Sequence, residues 1–114
     1  MDNKIRLDKV RNLFDRITEN ESYRDIIYNG ADLQLVGMNL EEGEDIEKEI
    51  HHADQFFYLI QGSLTIKIEY GVQVKTIKMK EGDFYTIPKG AYHYVKNTFD
   101  GPSKLFTIYS HKEH

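Results

Sequence analysis

Short segments that favour β-strands, separated by glycine-bearing breaks, follow one another along the chain from Tyr23 onward. Valine, isoleucine, tyrosine and phenylalanine are enriched in strands, and glycine accepts the positive φ that tight turns often need. The pattern predicts nine strands over residues 23–28, 33–40, 47–51, 55–60, 63–70, 72–79, 84–87, 92–96 and 104–109. Nine short strands joined by tight turns point to an antiparallel β-barrel or β-sandwich.

Residues 1–20 differ in character from the rest of the chain, because their apolar residues recur at helical spacing within a charged run. These apolar residues are Leu7, Val10, Leu13, Phe14 and Ile17. The spacing predicts one amphipathic helix from about Leu7 to Thr18. A chain of 114 residues has the length of one compact domain. We therefore expect an N-terminal helical segment over residues 1–20, followed by a barrel over residues 21–114.

The charge balance and the absence of cysteine narrow the classes of function. The 19 acidic and 15 basic residues are mixed along the chain and give a formal charge of −4, so no basic face for nucleic acid is predicted. The chain has no cysteine, which excludes disulfides and thiolate ligands. Any metal ion must therefore be bound by nitrogen and oxygen atoms.

Membrane insertion and secretion are not predicted. The longest uninterrupted apolar stretch, Phe56 to Ile60, is much shorter than the roughly 20 residues that span a bilayer. The first residues, Met1 to Lys4, also lack the apolar core of a secretory signal. A cytoplasmic location is the resulting expectation.

Glycine, proline, histidine and asparagine stand at fixed spacing in the second half of the chain, as Gly82-x5-Pro88-x-Gly90-x2-His93-x3-Asn97. In this arrangement Gly82 opens a strand, Pro88 and Gly90 shape a tight turn, and the next strand delivers His93 to a fixed depth. The run resembles the second motif of the cupin family at every specified position.

The segment from Gly43 to Gly62 is similar to the first cupin motif, Gly-x5-His-x-His-x3-4-Glu-x6-Gly. Gly43, His51 and Gly62 match that motif, whereas Glu49 replaces its first histidine and Gln55 replaces its glutamate. The resemblance covers residues 23–114 and is to the small bacterial cupins with Glu-x-His and Asp-Gln-Phe in this motif, sometimes labelled sugar-isomerase-like. It implies an all-β fold, the cupin double-stranded β-helix or jelly-roll barrel, with a short N-terminal α-helix.

The resemblance further implies that Glu49, His51, Gln55 and His93 bind one divalent metal ion. Glutamate and glutamine each offer an oxygen, so the two replacements keep four ligands, although Gln55 is alternatively a hydrogen-bond partner of a ligand. Glu49 and His51 lie two apart on one predicted strand and share a face, and Gln55 starts the next strand. His52 competes with His51 if the register slips by one residue, and we expect His51. The donor set suits Mn²⁺, Fe²⁺, Zn²⁺, Co²⁺ or Ni²⁺; we favour Mn²⁺ or Fe²⁺, followed by Zn²⁺.

Two classes of function are compatible with such a metal site. The first is a metal-dependent enzyme that acts on a small polar metabolite by isomerisation, epimerisation or oxygenation. Its catalytic residue is unassigned, with Tyr85, Tyr92 and His52 as candidate acids or bases. The second is a non-catalytic module that binds a sugar or another small molecule, since a fold does not decide between catalysis and binding. A metal-free structural barrel is a third possibility.

An apolar stripe on the strand that starts at Gln55 predicts a further contact. Phe56, Tyr58 and Ile60 alternate with the inward positions, and such a stripe needs cover from the N-terminal helix or from a second subunit. We therefore predict a homodimer. His111 and His114 lie in a polar tail and are expected to be solvated.

Overall fold

Nine β-strands and one short α-helix make up the computed structural model, which describes residues 7–110. The elements are α1 (Leu13–Glu19), β1 (Asp25–Asn29), β2 (Gln34–Leu40), β3 (Asp45–Ile50), β4 (Gln55–Gln61), β5 (Ser63–Tyr70), β6 (Gln73–Lys80), β7 (Phe84–Ile87), β8 (Tyr92–Asn97) and β9 (Ser103–Tyr109). The strands form a first sheet in the order β1-β2-β9-β4-β7 and a second sheet in the order β3-β8-β5-β6. All the pairings are antiparallel, and the all-β jelly-roll prediction is confirmed.

The alternation of apolar and polar residues positions the core between the two sheets. On β5, Leu64, Ile66 and Ile68 are buried while Thr65 and Lys67 face outward. Each fully buried aliphatic side chain of this kind contributes about 1.5–3 kcal/mol. Alternation of apolar and polar residues marks a strand with one buried face. The predicted strands therefore agree with the observed ones to within about two residues at each end.

The N-terminal helix is shorter than predicted. It begins at Leu13 because the side-chain oxygen of Asn12 accepts a hydrogen bond from the Asp15 amide at 2.9 Å and caps the first turn. Leu7 and Val10 lie before this cap and are 89% and 99% exposed. Helical spacing alone therefore does not show whether an apolar residue has a surface to pack against. The part of the prediction that falls on residues 1–6 lies outside the described residues, and so does the prediction that His111 and His114 are solvated. Within residues 7–110, no helix is both long and apolar enough to cross a membrane.

The helix packs on the outer face of the first sheet through Ile17, which is fully buried. Gly37 on β2 lies directly beneath this contact, because a Cβ atom there would lie 2.9 Å from Cδ1 of Ile17 and that side chain would have to shift. The Lys104 ammonium donates a hydrogen bond to the Thr18 carbonyl at 2.6 Å and ties the helix to β9. These contacts turn Lys104 away from the core.

The predicted apolar stripe lies on the outer face of the same sheet. Phe56 stacks on Phe84, and Tyr58 stacks on Phe106, each with ring centroids 5.3 Å apart. Phe84 remains 61% exposed. The homodimer stays a prediction, with Phe84 on β7 as the most exposed aromatic residue beside the stripe.

A β-bulge in β3 decides which of its side chains face the interior. Ile46 pairs with Val95 and Glu49 pairs with His93, so three residues of β3 span two residues of β8. Paired residues of adjacent strands share a face, and an extra residue shifts the alternation by one. Ile46 and Glu49 therefore both face inward although they are three residues apart.

Candidate metal site

Glu49, His51 and His93 converge at one end of the second sheet. One ligand atom from each residue lies within 4.8 Å of those of the other two. His51 Nε2 is 3.7 Å from Glu49 Oε2, and the two imidazole centroids are 5.3 Å apart. The exposed fraction falls from 44% for the Glu49 side chain to 14% for that of His51 and to 1% for His93. This candidate cluster therefore runs from the surface into the interior.

The backbone brings the three residues together by two routes. Glu49 and His93 are direct partners in the β3–β8 pairing. His51 lies just beyond the end of β3, not on the strand as predicted, and its carbonyl accepts a hydrogen bond from the Gly90 amide at 3.1 Å. The carboxylate of Asp54 accepts a hydrogen bond from the Lys89 amide at 2.9 Å. These two inter-motif hydrogen bonds join the segment after β3 to the turn that precedes His93.

His93 has the electrostatic environment of a neutral imidazole. Burial, together with the nearby charge of His51, lowers the pKa of His93 to about 4, while the Ala91 backbone acts in the opposite direction. Neither ring nitrogen makes a well-formed hydrogen bond within the described part of the chain, although both are buried. Neutral imidazole is the form that binds metal ions. One ring nitrogen carries a lone pair that can bind a metal ion, and the other carries a proton that can be donated to an acceptor.

Gln55 opens onto the same interior from the first sheet. Its side chain is 4% exposed, and Oε1 has no hydrogen-bond partner among the described residues. Phe57, two residues further along β4 and on the same face, contacts the His93 ring with centroids 6.1 Å apart. His52, the rival to His51, is exposed and is not part of the cluster found in residues 7–110. Direct metal binding by Gln55 stays a prediction.

The candidate acids and bases lie in different environments. Tyr92 lies on the outer face of the second sheet, with the Lys48 ammonium 4.6 Å from its ring centroid. Tyr85 packs against the core and pairs with Phe57. Tyr23, which the sequence did not single out, lies close to the cluster: burial and then the charge of Glu49 raise the pKa of this phenol.

The inner face of the first sheet carries polar residues that the sequence analysis missed. Gln34 is 1% exposed, Thr107 is fully buried, and the Tyr109 ring lies 5.0 Å from that of His51, centroid to centroid. The signal was present in the alternation, because Gln34 occupies the inward position that precedes Val36 on β2. A polar residue at an inward position distinguishes a binding face from a purely structural one.

Asn97, the last residue of the second motif, has a structural role. Its Nδ2 donates to the carbonyls of Leu40 at 3.0 Å and Gly101 at 2.9 Å. Its Oδ1 accepts from the Phe99 amide at 3.0 Å and from the Ser103 hydroxyl at 2.7 Å. The buried amide thus joins the ends of β2, β8 and β9, and it is not one of the cluster residues.

Open grooves on the outer surface do not coincide with the cluster. A groove of about 720 Å³ crosses the second sheet beside Lys48, Lys67 and Tyr94, and another of about 580 Å³ lies beside α1. Neither is lined by the cluster residues. The chemistry of the side chains, and not groove size, identifies the candidate site.

Protein YrkC of Bacillus subtilis (strain 168), which is described as uncharacterized, is 32% identical over 99 residues. The match covers 84% of this chain but 53% of YrkC, so the chain spans about half the length of that relative. The crystal structure of BH2720 from Bacillus halodurans superposes with a TM-score of 0.87 at 31% identity, covering 93% of this chain and 83% of BH2720.

A more distant structure shares the fold alone. Oxalate decarboxylase from Bacillus subtilis, described for its Mn(II) centres, superposes with a TM-score of 0.69 at 22% identity. That superposition covers 75% of this chain and 22% of the decarboxylase chain. Residues 37–109, well over half of the sequence, match the cupin domain of the Cupin_2 family. The chain therefore belongs to the cupin family.

Proposed function

We propose that this cupin binds one divalent metal ion at Glu49, His51, Gln55 and His93 and uses it to act on a small polar metabolite. The observation that carries the proposal is the convergence of Glu49, His51 and His93 within 4.8 Å, with both His93 nitrogens buried and lacking a well-formed hydrogen bond among the described residues. A buried polar group without a partner is unfavourable, and a metal ion relieves that cost for an imidazole.

The donor atoms fit a divalent ion in spacing and in type. Nitrogen and oxygen ligands lie about 2.0–2.2 Å from such an ion, so they lie about 3–4 Å from one another, and only small movements are needed here. Gln55 Oε1 is buried without a partner and supplies a fourth donor. One carboxylate, one amide oxygen and two imidazoles suit Mn²⁺, Fe²⁺ or Zn²⁺. The Mn(II) centres named for oxalate decarboxylase, a protein of the same fold, support manganese.

The chemistry proposed for the site is of the isomerase, epimerase or oxygenase type. When bound, the ion supplies a Lewis acid for a carbonyl or hydroxyl oxygen, or an open position for dioxygen. Glu49 supplies negative charge at the mouth, and His93 supplies a neutral imidazole at neutral pH because its pKa is about 4. The rings of Phe57 and Tyr109 pack against the two histidines and form an apolar part of the inner site.

The second candidate function is a non-catalytic module that captures a small molecule. The observation that favours it is the position of two of the three candidate acids and bases, since Tyr92 lies on the outer face and His52 is exposed, whereas only Tyr85 packs against the core. The site would then hold a sugar or other metabolite through the metal ion and the barrel interior without converting it.

Metal analysis of protein purified without chelator tests the proposal. We expect about one Mn²⁺, Fe²⁺ or Zn²⁺ per chain in the wild type, and loss of the ion in His93→Ala. His52→Ala is the matched control and should keep the metal, because His52 lies outside the cluster. A wild type that holds no transition metal would refute the proposal.

Incubation of the metal-loaded protein with sugars and small diketones, with and without oxygen, separates the two functions. Conversion that stops when the metal is removed supports the enzyme. A compound that remains unchanged but raises the melting temperature supports the binding module.

A further inference from the structure

Three side-chain oxygens on the inner face of the first sheet are buried without a hydrogen-bond partner in the described part of the chain: Gln34 Oε1, Gln55 Oε1 and Thr107 Oγ1. Their residues, which we call the polar inner wall, are 1%, 4% and 0% exposed. The amide nitrogen of Gln34 does have a partner, since it donates to Asn29 Oδ1 at 3.3 Å. The oxygens are therefore the free parts of the wall.

The strand register places the wall opposite the candidate cluster. Gln34 and Gln55 both pair with Tyr109, one from each side, and Thr107 pairs with Phe57 in the next row. The Tyr109 ring contacts that of His51, with centroids 5.0 Å apart, and the Phe57 ring contacts that of His93 at 6.1 Å. The wall and the cluster thus face the same interior space from the two sheets.

Unpaired oxygens in this number need an explanation. Buried polar groups are nearly always hydrogen-bonded in folded proteins, and leaving one unpaired destabilises the fold. An apolar residue of similar shape at any of the three positions would avoid that cost. The metal ion of the proposed function pairs with Gln55 Oε1, so the retention of Gln34 and Thr107 beside it on the same inner face points to a bound molecule that pairs with these two residues.

The wall is uncharged, and this selects the class of ligand. Within residues 7–110, Lys104 is the one lysine or arginine that is buried. Its ammonium donates a hydrogen bond to the Thr18 carbonyl of the helix. No cationic side chain of the wall therefore neutralises an anion. Amide and hydroxyl groups both accept and donate hydrogen bonds, which matches the hydroxyl groups of a neutral compound.

We propose that the polar inner wall binds the hydroxyl groups of a neutral polyhydroxy compound, and that Gln34 and Thr107 determine this specificity. The inference rests on the proposed function in taking the cluster as the other side of the same site. It goes beyond that function because it names residues on the opposite sheet and the class of ligand group that they bind.

Calorimetric titration of the metal-loaded protein with ribitol, D-xylose and oxalate tests this proposal. We expect ribitol or D-xylose to bind and Thr107→Val to weaken that binding about tenfold, the worth of one hydrogen bond, whereas the binding of oxalate, which depends on the metal ion, should not change in this variant. Without ligand, Thr107→Val should melt at the wild-type temperature or above it, because it removes an unpaired hydroxyl at nearly constant shape. Thr76→Val, at an exposed position of β6, is the matched control and should bind as the wild type does.

Two results overturn the inference: neither neutral compound binds a wild type that holds its metal, or Thr107→Val binds it as well as the wild type does. If Thr107→Val does not fold, Gln34→Met removes a second oxygen of the wall at similar length and is read in the same way. Metal content is measured in every sample, so the two proposals fail separately. A metal-free wild type that binds ribitol through Thr107 would support the wall and contradict the proposed function.

Discussion

The stability of the metal-free protein should depend on pH through His93. Burial lowers the pKa of His93 to about 4, whereas an imidazole in the unfolded chain titrates near 6.5. Between these values the unfolded chain binds a proton that the folded chain excludes, so the free energy of unfolding falls as the pH is lowered from about 6.5 to about 4. At about 1.4 kcal/mol per pH unit, the loss amounts to about 3 kcal/mol. Below about pH 4 this group causes no further loss.

Urea unfolding of chelator-treated protein at a series of pH values measures this effect. His93→Asn removes the titrating ring, and we expect the slope of unfolding free energy against pH to flatten in this window. His52→Asn changes an exposed neighbour and should keep the wild-type slope. Since slopes are compared, a change in the overall stability of either variant does not affect the result.

An acid dependence in His93→Asn as steep as that of the wild type would contradict the reasoning, because carboxylates would then account for all of it. Asp83 illustrates why the pH range from about 6.5 to about 4 separates the titration of His93 from that of the carboxylates. Hydrogen bonds from Lys80 lower the pKa of Asp83 below 3.8. The stability from that carboxylate is present above its unfolded-state pKa and is lost as the pH falls towards the lower folded value, so the loss occurs beneath the His93 window.

Three further substitutions and one control substitution test the framework around the site. Gly62→Ala should cost about 2–4 kcal/mol in urea unfolding, because Gly62 has φ +98° and its Cβ would meet the Ser103 side chain and lie 2.9 Å from the Ser103 Cα. Gly71→Ala, where φ is +61° with nothing within 4 Å, should cost only about 1–2 kcal/mol, and equal costs would contradict this reasoning. Asn97→Ala should lower the free energy of unfolding by about 3 kcal/mol without changing metal content, and metal loss from a folded variant would be the wrong outcome. Asp54→Ala should weaken metal binding about tenfold in a chelator competition by freeing the turn before His93, and unchanged affinity would argue against a positioning role.

The strands were predictable because their signal is local. On β5 and β7 the predicted and observed bounds are the same, Ser63–Tyr70 and Phe84–Ile87, since strong alternation ends at glycine-bearing turns on both sides. The start of α1 was not predictable from periodicity. Leu7 and Val10 fit the helical spacing, but they precede Asn12, which caps the start of the helix. The helix covers only the sheet surface that Ile17 contacts.

The residues of the candidate cluster were predictable, whereas the way the chain holds them was not. Glu49, His51 and His93 were identified from the resemblance to the two cupin motifs, and the structure brings them together. The sequence placed His51 on a strand; instead it lies in a loop that is fixed by the Gly90 amide from the other motif. A contact between residues so distant along the chain has no local signal. The alternation marked Gln34 as a polar residue at an inward position, but the significance of the Gln34 and Thr107 oxygens depends on which groups face them across the interior.

The bulge in β3 determines which charge the barrel mouth presents. If β3 kept its present length but paired with β8 without the bulge, regular alternation from Ile46 would place Lys48 opposite His93, and Glu49 would project into solvent. Such a register would keep the barrel and replace the carboxylate by an ammonium without any substitution. Deleting Lys48 would instead remove the bulge and leave Glu49 facing inward opposite His93.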